Sequence, residues 1–147
     1  MPAPVRIRED VHLHAAAHAV HQRILDLSTY DAWLSPAFRD FHADEEGWSY
    51  RLVLPGRTEQ GRLRRGGIED GAVTFLRDGA GAAESLAWAL HAESPREVHL
   101  TVELTYVPAG GIAGNILELT VHRPHRVQAL RDSLWQFKQI VEAAARA

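Results

Sequence analysis

The sequence has no cysteine and a single lysine, Lys138. The first absence removes disulfides, thiolate metal sites and cysteine nucleophiles together. Basic residues fall short of acidic ones, 16 against 19, for a formal net charge of −3. The chain therefore lacks the basic footprint on which phosphate-backbone binding rests, and nucleic acid is not expected as its main partner. No stretch approaches the roughly 18 apolar residues of a membrane span, and residues 1–10 hold no apolar signal core. A cytoplasmic protein without stable membrane insertion is the expectation. No glycine motif that would cradle a phosphate precedes a helix, since Gly79 and Gly81 fall between strand candidates. Repeats, linkers and low-complexity segments are missing too. What remains is a chain of 147 residues, 46% hydrophobic and 24% charged. That is the size of one domain with a real core, read here as residues 1–147. The scarcity of lysine beside abundant arginine and alanine reads as genome composition.

The apolar residues fall into two rhythms. Val5, Ile7, Val11, Leu13 and Ala15 alternate with Arg6, Arg8, His12 and His14, the period of a half-buried strand. From His18 the spacing lengthens: Val20, Ile24 and Leu27 fall three to four apart, as on one helix face. Ser28 followed by Asp31 predicts a capping box for a second short helix, which carries Tyr30, Trp33 and Leu34 and stops at Pro36. Strand candidates then come in succession at 38–45, 48–54, 58–65 (ended by Gly66-Gly67), 72–77, 85–92 and 98–106. The last alternates most cleanly, with Val98, Leu100, Val102, Leu104 and Tyr106 against His99, Thr101, Glu103 and Thr105, as in an antiparallel meander with one dry face. Asn115 with Glu118 predicts a helix start. Val127, Leu130, Leu134, Phe137 and Val141 mark one face of a long helix. From 124 to 145 that helix would run about 33 Å at 1.5 Å per residue. Pro124 either kinks it or opens its second segment.

This order of elements resembles the START-like or helix-grip superfamily, and the local residues resemble its polyketide cyclase/dehydrase group. They are a strand closing on a small-residue step (Val11 to Ala15), the pair Val20-His21, and Tyr30-Asp31-Ala32-Trp33. The end of the last strand, Leu104-Thr105-Tyr106-Val107-Pro108, ahead of Gly111 to Leu117 and the long helix, matches as well. The likeness covers essentially the whole chain, with one departure: His21 stands where an aromatic is common. It implies an α+β helix-grip fold: a strand, two short helices, a six-stranded antiparallel meander and a long C-terminal helix across the curved sheet. It does not imply one function, because lipid carriers, hormone receptors, cyclases and chaperone cofactors share the frame. A twisted sheet of this size curls, and a single helix cannot fill its hollow. The expectation is an apolar cavity of about 300–1,000 Å³. Its expected ligand-binding residues are His21, Trp33, Trp48, Tyr50, Leu52, Trp88, Leu90, Leu100, Val102, Leu104 and Tyr106, with Val127, Leu130 and Leu134 from the long helix.

Nine histidines invite a metal. However, the step from His14 to His18 crosses an element boundary, His18 and His21 lack a third ligand, and Pro124 disturbs the spacing of His122 and His125. Neither a metal nor a cofactor is expected. His21, if the family alignment holds, stands at the cavity wall, where a neutral imidazole could hydrogen-bond a ligand or act as a general base. Arg62 and Arg64 share one strand face. Facing inward they would accept an anionic ligand, and facing outward they form a solvated surface. Tyr50 and Tyr106 each carry a hydroxyl that needs a partner if buried. Glu103 lies on the polar face, and no Ser/His/Asp set or converging carboxylate pair is evident. The expected function is binding or transport of a small hydrophobic ligand, lipid-like, isoprenoid or polycyclic. One alternative is a polyketide cyclase-type enzyme in which His21 or a tyrosine moves a proton. The other is a protein–protein module, favoured if the hollow is too small for an organic ligand.

Overall fold

The computed structural model describes residues 3–69, 71–108 and 111–147, with Ile68 described by its backbone alone. Seven antiparallel strands form one sheet: β1 (Val5–Leu13), β2 (Phe38–Ala43), β3 (Gly47–Leu54), β4 (Arg57–Glu69), β5 (Ala72–Arg77), β6 (Ala83–Ser94) and β7 (Glu97–Tyr106). Their spatial order is β1-β7-β6-β5-β4-β3-β2. The chain therefore meanders from β2 to β7 and ends beside its own first strand. The sheet curls into a half-barrel, and the long C-terminal helix α3 (Arg123–Arg146) packs across it. Helix α1 (Ala17–Leu25) and a 3-10 turn (Leu27–Ala32) link β1 to β2. No helix of the described residues is long and apolar enough to cross a membrane.

Alternation sets which residues face the helix. Along β7, Val98, Leu100, Val102, Leu104 and Tyr106 are buried and every residue between them is partly exposed. The 3-10 turn departs from expectation, because its cap is Asp26 and not Ser28. The Asp26 Oδ1 accepts from the Ser28 amide at 3.1 Å and from its hydroxyl at 2.6 Å. Asp26 precedes the turn by one residue, where an Asx side chain can reach the second free amide, whereas Asp31 lies near its far end. Tyr30 then folds back, its hydroxyl donating to the Ile24 carbonyl at 2.6 Å, which fixes the turn and Trp33 against α1.

Strand ends also differ where a single side chain or a bulge decides them. β2 stops at Ala43 because Asp44 accepts from the amides of Glu46 and Gly47 at 2.8 and 2.9 Å, closing a turn. β4 continues through Gly66-Gly67 to Glu69, and its register with β5 slips between Arg65 and Ile68. The glycines mark a bulge inside the strand instead of its end. The C-terminal helical run begins at Ile112, after Gly111 (φ +92), and not at Asn115. It proceeds as α2 (Ile112–Leu117), a π turn (Glu118–His122) and α3 without a break. Pro124 is thus accommodated inside the run. A proline there lacks the N–H for the Thr120 carbonyl and crowds that carbonyl, and the wider π turn ahead of it makes room.

At Gly47 the neighbouring strand comes too close for any side chain. A Cβ there would sit 2.1 Å from the Leu63 carbonyl oxygen and 2.7 Å from the Arg64 Cα. Gly47→Ala must therefore part β3 from β4 at the residues flanking Trp48 and Leu63. Thermal unfolding followed by circular dichroism should show a loss of about 2 kcal/mol or more, roughly 5–10 °C in Tm. An unchanged Tm would contradict the packing described.

Candidate functional site

Between the concave face and α3 lies a cavity of about 40 Å³, walled by Trp33, Trp48, Tyr50, Leu52, Trp88, Val102, Leu104, Tyr106, Leu130 and Leu134. Of the fourteen residues expected to bind a ligand, these ten meet here. Leu34, Phe38, Leu63, Ala83, Leu86, Arg126 and Ser133 complete the wall. The volume corrects the expected hollow of several hundred Å³, since it suffices for only a few water molecules. Aromatic bodies take up the difference. Trp33 meets Trp88 edge-on at 5.7 Å between ring centroids and Phe137 at 5.1 Å, while Trp48 and Tyr50 lie 5.4 Å apart.

Four expected residues are elsewhere. Leu90 and Leu100 are opposite each other on β6 and β7, toward the end of the sheet covered by α1. Leu100 is buried in the core there, away from the cavity. Leu90 and His21 instead line a separate surface hollow with Ala17, His18, Gly71 and Ala92. His21 therefore cannot reach a molecule in the cavity as general base or hydrogen-bond partner. Val127 packs against the core but is turned away from the wall, and Arg126 takes that place. Arg62 and Arg64 lie on the outer face. Arg62 pairs with Asp44 at 2.8 Å and Asp78 at 3.1 Å, and Arg64 is exposed. His122 and His125 do not converge. The first is buried with its Nε2 donating to the Pro55 carbonyl at 3.2 Å, and the second is exposed.

Arg126 was not anticipated as a wall residue, and it organises the polar side of the site. Only 2% of it is exposed. Its Nη1 and Nη2 donate to the two carboxylate oxygens of Glu59 at 2.5 and 2.8 Å, a bidentate pair. Nη2 also reaches Glu118 Oε1 at 3.1 Å, and the Tyr106 hydroxyl donates to Glu118 Oε2 at 2.6 Å. The guanidinium carbon lies 4.2 Å above the Tyr106 ring. At the rim, Arg57 adds a second cation 3.2 Å from Glu59. The two carboxylates raise the guanidinium pKa further above its ordinary value, against the opposing effect of burial. Two sequence signals could have found this network. Glu59 shares the inward phase of β4 with Gly61 and Leu63, and Arg126 extends the helix stripe of Leu130, Leu134 and Phe137 by one turn.

The tyrosines are held in their neutral form. Burial, aided by the nearby Glu59 charge, pushes the Tyr50 hydroxyl up to about 12. Burial and the bond to Glu118 push Tyr106 up to about 12 as well. Burial raises Tyr30 further still. At neutral pH Tyr50 and Tyr106 are thus hydrogen-bonding hydroxyls and not bases. Three residues of the wall, Trp33, Trp48 and Trp88, have buried indole N–H groups that find no acceptor among the described residues.

No family model matches the sequence, and no curated protein matches it significantly. Solved structures do match its shape. A protein from Thermus thermophilus superposes with a TM-score of 0.79 at 15% identity, over 96% of this chain and 99% of that one. The fold is the START-like, helix-grip fold. Other structures similar to this chain are the Zhui aromatase/cyclase from a Streptomyces species (TM-score 0.69, 17% identity, 97% and 98% covered) and a START superfamily protein from Mycobacterium smegmatis (0.62, 12%, 96% and 97%). At such identities the START-like likeness establishes the frame, and the contents of the frame rest on the residues above.

Removing Arg126 alone would leave two buried carboxylates without their partner. Arg126→Met should lose about 3–5 kcal/mol in urea unfolding, while the triple replacement Glu59→Leu, Glu118→Leu and Arg126→Met should recover most of it. A single-variant loss below about 1 kcal/mol would contradict the burial of the network. The tyrosines supply a second check. Their folded pKa values lie above the ordinary 10.0, so between about pH 10 and 12 the unfolded chain has released protons that the folded one holds, and stability falls as pH rises. Ultraviolet titration of the native protein should show none of the three tyrosines ionising near pH 10. One that ionises there would be out of place.

Proposed function

We propose that this protein holds a small, largely apolar and uncharged organic molecule, of isoprenoid or polycyclic type with carbonyl or hydroxyl oxygens, between the sheet and α3. The observation that carries this reading is that the three tryptophans lining the cavity each bury an indole N–H without an acceptor among the described residues. Each buried donor without an acceptor costs about 1–3 kcal/mol, so an occupant that widens the hollow and brings acceptors to these rings is favoured. The flat rings around them suit a flat or chain-like apolar body. Arg126 argues against an anionic head group, because Glu59 and Glu118 already satisfy it and would repel a further carboxylate.

At about 40 Å³ the cavity must widen to admit such a molecule, by rotation of wall aromatics or outward movement of α3. Binding is favoured over catalysis. No residue on the wall is placed as a base at neutral pH, and His21 lies outside it. The aromatase/cyclase among the similar structures keeps the enzyme reading open to the same test. The small volume favours a second reading, an interaction module. It would draw on the exposed apolar residues Ile112, Ile116 and Leu119.

Three of the four tryptophans line the cavity, so their emission reports on it. The purified protein would be extracted for mass spectrometry and titrated with neutral polycyclic quinones, isoprenoid alcohols and long-chain fatty acids. Saturable changes in emission are expected with the neutral compounds, and binding at least about tenfold weaker for the acids. No co-purifying molecule and no response to any of the panel would reject the binding reading in favour of the interaction module.

A further inference from the structure

We propose that His12, His99 and Glu93 form a binding site for one divalent transition-metal ion of the zinc class, on the outer face of the sheet and independent of the cavity. Spacing along the chain concealed it; the register assembles it. His12 of β1 and His99 of β7 are direct cross-strand partners. Both lie on the outer face, since the residues on either side of His99, Val98 and Leu100, are fully buried. Glu93 sits on β6, where the pairing with β7 slips between Ala92 and Ser94. Such a bulge re-aims a side chain. The Glu93 carboxylate reaches across β7 to place Oε1 3.1 Å from His12 Nδ1 and 3.8 Å from His99 Nδ1. One ligand atom from each residue lies within 4.8 Å of the other two. Metal bonds of about 2.0–2.2 Å would set tetrahedral donors roughly 3.3 Å apart, so only small side-chain movements are needed.

The surroundings are those of a prepared site. The Nε2 of His99 faces Asp10 Oδ2 at 3.1 Å, which keeps the proton on that nitrogen and leaves the Nδ1 lone pair for the ion. On His12, the Nδ1 hydrogen bond to Glu93 would give way to the ion, and Nε2 lies 3.8 Å from Glu97 Oε1, beyond hydrogen-bond distance. The backbone of this segment is fastened to α3. Lys138 Nζ donates to the His12 carbonyl at 2.8 Å, and the His14 amide donates to Glu142 at 2.8 Å. Asp10, Glu93 and Glu97 together offset a dication. His14 Nδ1 lies 3.6 Å from Glu97 and could form a competing set with His12, but its side chain is more exposed. Two imidazoles and a carboxylate are a borderline donor set that suits zinc, and three protein ligands leave a fourth position open. Bound there, the ion would staple the edge strand β1 over β7 to β6.

The test uses the untagged, chelator-stripped full chain, titrated with Zn²⁺ by calorimetry and with Co²⁺ by visible absorption. One equivalent should bind, with a tetrahedral Co²⁺ spectrum and a rise in Tm on adding zinc. Binding should weaken at least about tenfold in His12→Ala, His99→Ala and Glu93→Gln, by roughly 10–100-fold in Asp10→Asn, and little in His14→Ala. Matching melts of the metal-free variants, with His99→Asn as a milder second change, separate lost binding from lost folding. Absence of saturable binding, binding that survives the loss of both His12 and His99, or an effect of His14→Ala as large as that of His99→Ala would overturn the proposal.

Discussion

Arg126 sits away from water between the carboxylates of Glu59 and Glu118, and much of the structure around it answers to that placement. Withdrawing three charges from water costs several kcal/mol for each ion, and mutual attraction offsets this only when geometry and hydrogen bonding are close to ideal. Here both conditions are met. The guanidinium is gripped bidentately by Glu59, bridged to Glu118 and covered by the Tyr106 ring. Because Glu59 is on β4, Tyr106 on β7 and Glu118 on the π turn, the network ties the start of α3 to two separate parts of the sheet. The π turn follows from the same requirement. It carries both Glu118 and His122 inward while making room for Pro124.

The network also sets the character of the cavity. Arg126 is the charged residue on a wall otherwise made of rings and aliphatic groups, and its charge is already matched. The uncommitted polarity among the wall residues is that of three neutral donors, the buried indole N–H groups. Under the proposed function, such a hollow would select by shape and acceptor placement and disfavour added negative charge, unlike a site built on a free arginine.

The frame was legible because it rests on periodicity. The alternation along β7, the helical stripe of Leu130, Leu134 and Phe137, and the order of the elements all survive in a single sequence. Strand and helix ends were less legible where a single side chain decides them, as Asp26 and Asp44 do, or where a bulge lets Gly66-Gly67 stay inside a strand. Ten residues of the cavity wall could be read from inward phase. Arg126 and Glu59 share that phase too, but charged residues are presumed to seek water, and their burial depends on partners remote in sequence. His21 was misplaced for a related reason. Its position on α1 was known, but not which end of the sheet α1 covers. The pairing of His12 with His99 was hidden in the same way until the register between the first and last strands was in view.

Under the proposed function, Trp33, Trp48 and Trp88 surround one occupant and offer it their indole N–H groups. Nitrogen-15 spectra of the labelled protein resolve the four indole N–H groups, with the exposed Trp135 as internal reference. On adding a neutral polycyclic quinone, the three wall signals should shift together in a saturable manner while Trp135 stays in place. Wall signals that stay fixed while only Trp135 moves would contradict the account.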